Sequence, residues 1–188
     1  MTRPAVSIDR AAAVRSALVR LVAAEGFHGT SMAAVAKEAG VATGTAYVHY
    51  ASKDELVHAT YLEVKHGLGE AAVASIDPAA TSRVVFGQIW HAVQTHLEED
   101  PDRARFLEQV DSSPFAESAH ELAMANDGDP LLRSPLIIAM LDTWVDLPMP
   151  VLFDLAVGPM IRLIASEGRL DPDIVPTLIE ACWRAVTD

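Results

Sequence analysis

Along the whole chain apolar residues recur at three- and four-residue spacing, and no stretch alternates apolar with polar residues between turn signals. That period gathers side chains onto one stripe of a helix and would scatter them over both faces of a strand, so the expected fold is all-α. A chain of 188 residues, half of them hydrophobic and a fifth charged, can bury a sizeable core, which excludes a disordered polymer. Its single cysteine, Cys182, allows no intramolecular disulfide and no four-thiolate zinc site, which fits a reducing compartment. Met1 to Arg10 holds no apolar run of leader length. The greasiest stretch, Leu136 to Ile164, is broken by Asp142, Asp146, Asp154, Arg162 and three prolines. No membrane partner is expected, and the protein is placed in the cytoplasm.

About nine helices are expected. The first runs from Asp9, a good N-cap, to Glu25, and Gly26-Phe27 has the pattern of a C-terminal glycine followed by an apolar residue that folds back. A short second helix starts at Thr30 or Ser31 and stops at Gly40, and a third spans Thr43 to Tyr50. Ser52-Lys53-Asp54-Glu55 has the pattern of a capping box, with Ser52 and Glu55 each bonding the other's backbone N–H, at the head of a long fourth helix reaching Ser75. Helices over Thr81–Glu99, Asp102–Val110, Phe115–Ala125, Leu131–Val145, Pro150–Glu167 and Asp173–Thr187 complete the chain. The runs Glu98 to Asp102 and Asn126 to Pro130 are loops.

Two short helices around the turn Ala39-Gly40-Val41 have the layout of a helix-turn-helix. Met32, Val35, Ala36 and Val41 are apolar and small enough for the helices to cross closely. The second helix carries Thr43, Thr45, Tyr47, His49 and Tyr50, whose hydroxyl and imidazole groups can bond phosphates and base edges, and Lys37 and Lys53 flank them. Pattern alone fits an ordinary helical hairpin nearly as well.

The residues Gly26-Phe27, Thr30-Ser31, Val35-Ala36, Ala39-Gly40-Val41, Gly44-Thr45, Tyr47, His49-Tyr50 and Ser52-Lys53-Asp54-Glu55-Leu56 resemble the N-terminal signature of the tetracycline-repressor-like (TetR/AcrR) transcriptional regulators. The resemblance covers the first third of the chain. It implies a helix-turn-helix DNA-binding domain over residues 1–51 and a ligand-binding and dimerisation domain over 52–188. The implied partners are a double-stranded DNA operator, a small apolar effector, and a second copy of the chain held through the last two helices. Carried over by residue, Thr43, Gly44 and His49 lie nearest base edges, with Thr45 and Tyr50 on the same helix. Tyr47 and Lys53 bind phosphate, and Thr30 or Ser31 sets a hydroxyl against the backbone. Ala42, Ala46 and Tyr50 depart from the family's usual serine, leucine and phenylalanine. The expected function is therefore a ligand-responsive regulator, most simply a repressor, with no enzymatic activity and no cofactor. The alternative is a helical small-molecule or haem-binding protein without DNA-binding activity.

The net charge of −12 argues against a phosphate-bearing partner until it is divided along the chain. Residues 1–66 hold seven Lys+Arg and six Asp+Glu, including all three lysines, whereas the remainder holds seven arginines and twenty acids. Only the N-terminal part can face DNA without repulsion. In the rest, Phe86, Trp90, Phe106, Met140 and Trp144 are expected to line an apolar cavity together with Ile89, Met124 and Phe153, and Gln109, His91 or Asp142 would supply polar anchors. Glu63 with His66 and Glu117 with His120 have the local spacing of a di-iron bundle but lack its further glutamates, so no metal is expected. Gly67-Leu68-Gly69 follows no strand and reads as a helix irregularity rather than a nucleotide loop.

Overall fold

A computed structural model describes residues 9–126 and 128–187. The leader reading of Met1–Arg10 falls largely outside these residues, as do Arg3 of the charge count and Asp127 of the loop from Asn126 to Pro130. The described residues form eleven helical segments and no strand. They are α1 (Arg10–Glu25), α2 (Met32–Glu38), α3 (Thr43–His49), α4 (Lys53–Ala74), α5 (Ser82–Glu99), α6 (Pro101–Asp111), α7 (Ala116–Met124), the single turn α8 (Pro130–Arg133), α9 (Pro135–Leu141), α10 (Met149–Glu167) and α11 (Val175–Val186).

The helix boundaries follow from caps legible in the sequence. Asp9 Oδ1 accepts from the N–H groups of Ala11 and Ala12, at 3.0 and 3.2 Å, and Gly26 ends α1 at a φ of 69°, which a side chain would resist. Ser31 Oγ accepts from Ala34 N–H at 3.2 Å, whereas Ala42 offers α3 no side-chain cap. The box at the start of α4 is only half as expected. Ser52 Oγ accepts from Glu55 N–H at 3.1 Å, but Glu55 Oε2 reaches back one residue further, to Ala51 N–H at 2.7 Å.

Two expectations about continuity are corrected. The helix expected over Leu131–Val145 breaks into α8 and α9, because Pro135 brings no N–H and its ring holds Ser134 extended at ψ 117°. Conversely, Gly67-Leu68-Gly69 causes no irregularity, and α4 runs through it unbroken. A Cβ on Gly69 would lie 3.2 Å from both Asp129 Oδ1 and Pro130 Cδ, so the missing side chain lets the loop before α8 close onto α4.

One continuous core joins the N-terminal three helices to the rest. α1 packs against α4 and α6, and α6 in turn lies along α10. Phe27, after α1, packs its ring against Phe115 and Phe106 with centroids 5.0 and 6.3 Å apart. α10 is long and apolar enough by length and composition to cross a membrane, but it carries Asp154 and Arg162 and contains Pro159. It packs on α5, α6 and α11.

Candidate functional site

The outer face of the helix-turn-helix is built by what the inner face buries. Met32, Val35, Ala36 and Ala46 are closed into the core, and Val41 N–H bonds Ala36 O at 2.9 Å across the turn at Gly40. With Ala46 inward, the helical period turns Thr43, Gly44, Tyr47, Val48 and His49 outward, and Thr45 is half-buried beside them. Val48 is 82 % exposed, more than any other large apolar side chain described. Its side chain has no hydrogen-bonding group, so a pattern of donors and acceptors along the chain does not reveal it. An exposed valine on such a face is the kind of surface that packs on a thymine methyl.

Three residues expected at this surface are held inside instead. Tyr50 is buried, and its hydroxyl receives Arg15 Nη1 at 2.5 Å and donates to Ala11 O at 3.4 Å. It ties α3 to α1 and has no route to a base. Thr30 is likewise buried, with Oγ1 donating to Gly26 O at 2.8 Å, so of the Thr30-Ser31 pair only Ser31 is exposed. Lys53 donates to Phe27 O at 2.7 Å and sits 5.6 Å from the centre of the Phe27 ring; partial burial lowers its pKa. The lysine expected to bind phosphate is thus a clamp on the α1–α2 turn, with two of its three donors left over.

The head's charge is also less available than a count suggests. Arg15 pairs with Glu63, Arg20 Nε lies 2.8 Å from Glu38 Oε1, and Lys65 points away into the body. Lys37, exposed on α2, makes no ion pair among the described residues.

A second site lies in the body, where α4, α5, α6, α7, α9 and α10 surround a cavity of about 160 Å³. Phe86, Met140 and Trp144 line it as expected, together with Ile89, Met124 and Phe153. Trp90 and Phe106 do not. Both are fully buried in the packed core, Phe106 against Phe27. Gln109 is exposed at the junction with the head, its Oε1 3.2 Å from where a Gly26 Cβ would stand, and His91 and Asp142 face solvent. The polar groups of the wall are instead Tyr61, Lys65, Asp111, His120 and Asp129, with Asp154. Nothing in a linear reading brought these together, because they come from five separate segments and each is unremarkable alone. Burial drives Lys65 down to about 8 against the pull of Asp129, Asp111 and Asp154, and burial raises the Tyr61 phenol.

The two Glu-x-x-His pairs are used otherwise. Glu63 holds Arg15, His66 lies 3.5 Å from Glu70, and His120 lies 2.8 Å from Asp111. No cluster of three or more metal-binding side chains occurs among the described residues. The apolar faces expected to pair in a dimer are in good part spent within the monomer. Leu152, Met160, Ile179, Cys182 and Val186 are buried, Leu155, Leu163 and Leu178 are half-buried, and Ile174 is exposed.

Residues 14–60 match the family model for bacterial regulatory proteins, tetR family. An HTH-type transcriptional regulator of Haemophilus influenzae is 28 % identical over 182 residues, covering 95 % of this chain and 96 % of that protein. The crystal structure of a TetR-family transcriptional regulator from the same organism superposes with a TM-score of 0.73 at 28 % identity, over 96 % of this chain and 97 % of the other. A TetR-family regulator from Shewanella sp. PV-4 shares the fold with a TM-score of 0.78 at 24 % identity, over 95 % and 98 %. So does FadR from Bacillus subtilis, crystallised with stearoyl-CoA, with a TM-score of 0.71 at 16 % identity over 93 % and 98 %.

Proposed function

Taking the chain as the TetR-family DNA-binding transcriptional regulator that its head sequence and full-length fold make it, we propose that it is a repressor, bound to a palindromic operator as a homodimer and released by a small apolar effector. Residues 1–51 would form the DNA-binding domain and 52–188 the ligand-binding and dimerisation domain. The observation that carries this reading is the course of α4. Its first residue, Lys53, clamps the head, and Tyr61, Lys65, Leu68 and Ala72 further along the same helix line the cavity.

A second link runs through α6 and α7. Their Phe106 and Phe115 seat Phe27, and Ser118 Oγ lies 2.8 Å from His58 Nε2 on α4. The same two helices give Leu107, Asp111 and His120 to the cavity wall. A ligand that shifts α6 and α7 therefore shifts the surface on which the head rests. In a dimer this changes the separation of two α3 helices that must enter major grooves roughly 34–36 Å apart. By linkage, operator DNA weakens effector binding by the same factor.

On DNA, Thr43, Gly44, Thr45, Val48 and His49 would meet base edges, while Tyr47, Ser31, Lys37 and the free donors of Lys53 would meet phosphate. Dimerisation through α10 and α11 would use the apolar surface left outside the monomer core, chiefly Val151, Leu155, Leu163, Ile174 and Leu178. Binding such an operator would place the protein in the cytoplasm. FadR accommodates stearoyl-CoA, but a cavity of about 160 Å³ with three aspartates in its wall is a poor match for a long-chain polyanion.

The test is salt-titrated binding to the DNA flanking its own gene, with wild type, Thr43→Ala and His49→Ala. Binding should weaken steeply with salt, and each variant should change the preferred bases. Salt-independent binding, or an unchanged preference in both variants, would remove the reading.

A further inference from the structure

The cavity wall is apolar on most sides, which isolates its one ammonium. Lys65 Nζ rests 3.2 Å from the centre of the Phe153 ring, and among the described residues it donates no hydrogen bond and has no carboxylate within 4 Å. An ammonium carries three donors, and on a half-buried side chain those that no protein group accepts are left to water or to a ligand. A second donor of the same wall is also without a partner: the indole Nε1 of Trp144 is buried and unbonded. Two of the wall's three carboxylates have a partner of their own, and the third, Asp154, is exposed. Asp111 Oδ1 meets His120 Nε2 at 2.8 Å, and Asp129 Oδ1 receives Leu131 N–H at 2.9 Å.

Charge narrows what can supply the missing acceptor. Lys65 faces Tyr61 on its own helix, Asp111 from α6, His120 from α7, Asp129 from the turn before α8 and Asp154 from α10. Three carboxylates against one ammonium leave the wall negative, so an anionic headgroup enters against repulsion. A cation is drawn to the carboxylates but finds Lys65 already on the Phe153 face. An uncharged oxygen meets neither obstacle. The volume sets the size, since an apolar cavity of about this magnitude takes a single aromatic ring.

We propose that the effector is a neutral, one-ring-sized apolar molecule bearing a carbonyl-type oxygen, which accepts from Lys65 while the ring packs against Phe86, Met140 and Trp144. The inference rests on reading this cavity as the effector site. Because burial brings Lys65 down only to about 8, it remains mostly an ammonium at neutral pH and is at its best as a donor.

Four probes built on one ring separate the alternatives: acetophenone, ethylbenzene, benzoate and 1-phenylethylamine. Their binding to the full chain is measured by calorimetry at pH 7, and their effect on the operator complex by fluorescence anisotropy. Acetophenone should bind at least tenfold tighter than ethylbenzene and tighter than either charged probe. Lys65→Met, which keeps the length of the stem and removes the charge, should bring acetophenone to within about threefold of ethylbenzene, and Trp144→Phe should reduce the advantage by a smaller factor. Lys65→Met should fold, since replacing a buried unpaired charge with an apolar side chain is stabilising. Benzoate or the amine binding best, a ketone advantage that survives both substitutions, or binding of none of the four would overturn the inference. If a charged probe binds best and releases DNA, the neutral-oxygen inference fails while the effector reading stands. If acetophenone binds with the expected preference and DNA stays bound, the effector reading fails while the chemistry of the cavity stands.

Discussion

Lys53 and Lys65 lie on one helix about three turns apart, and each sets its ammonium over a phenylalanine ring, Phe27 in the head and Phe153 in the body. They differ in one respect. Lys53 has the carbonyl of Phe27 at 2.7 Å, whereas Lys65 has no acceptor among the described residues. A cation with its acceptor built in is a structural clamp. One half-buried in a cavity wall without an acceptor is disfavoured by lost hydration, and a ligand oxygen would offset that cost. The head therefore spends its polar groups on shape and leaves small, apolar and hydroxyl side chains outward. The body hides an unsatisfied donor.

The largest effect expected tests whether the two regions are mechanically separate at all. Phe106 is fully buried between them, and Phe106→Ala should cost about 3–5 kcal/mol. Because the core is continuous, denaturant unfolding should stay a single transition. Two resolved transitions would show that head and body fold independently and would weaken the proposed coupling.

Next in size is the body's lysine. Its folded pKa of about 8 lies below the 10.5 of the unfolded chain, so the unfolded state binds the extra proton between these values and stability rises with pH across that window. Below pH 8 the penalty is fully present, about 3 kcal/mol. Lys65→Met should raise stability by up to that amount at pH 7, with the gain shrinking between pH 8 and 10.5. A pH-independent gain would mean that Lys65 is not held charged in the cavity.

The third prediction concerns the head's bare surface. A Cβ on Gly44 would meet no heavy atom within 4 Å, so Gly44→Ala should leave the melting temperature unchanged or slightly raised by helix propensity. If α3 lies in the major groove, the added methyl should reduce operator affinity tenfold or more. Unchanged affinity would move the base-reading face elsewhere. The smallest effect is that of Lys37→Ala, which should leave stability alone and flatten the salt dependence by about one unit of slope. An unaltered slope would remove Lys37 from the phosphate contacts.

The region boundaries were largely legible because they depend on local groups. Asp9, Ser31, Ser52 and the glycines at 26 and 40 act within a few residues of their own position, and the chain states them directly. The site was legible only where the helical period decides it. That period places Ala46 inward and Thr43, Tyr47 and His49 outward. It did not foresee Tyr50, whose ring closes against α1 because Arg15, 35 residues away, donates to its hydroxyl oxygen. The cavity wall was foreseen only in part, for a different reason. Aromatic content identifies material for a cavity but not its location, so Trp90 and Phe106 looked as suitable as Phe86 and Trp144.

Lys65 shows the division most sharply. In the linear count it belongs to the near-neutral N-terminal third and contributes to the case for DNA binding. In the fold it faces the body's cavity and contributes nothing there. The sequence by itself determined the all-helical architecture, the helix-turn-helix and its outward residues, since spacing and caps are short-range. Only the tertiary structure decided which cations are clamped, which are free and which wait for an acceptor. That depends on groups brought together from α4, α6, α7, α10 and the turn before α8, and on how much water the packing excludes around them.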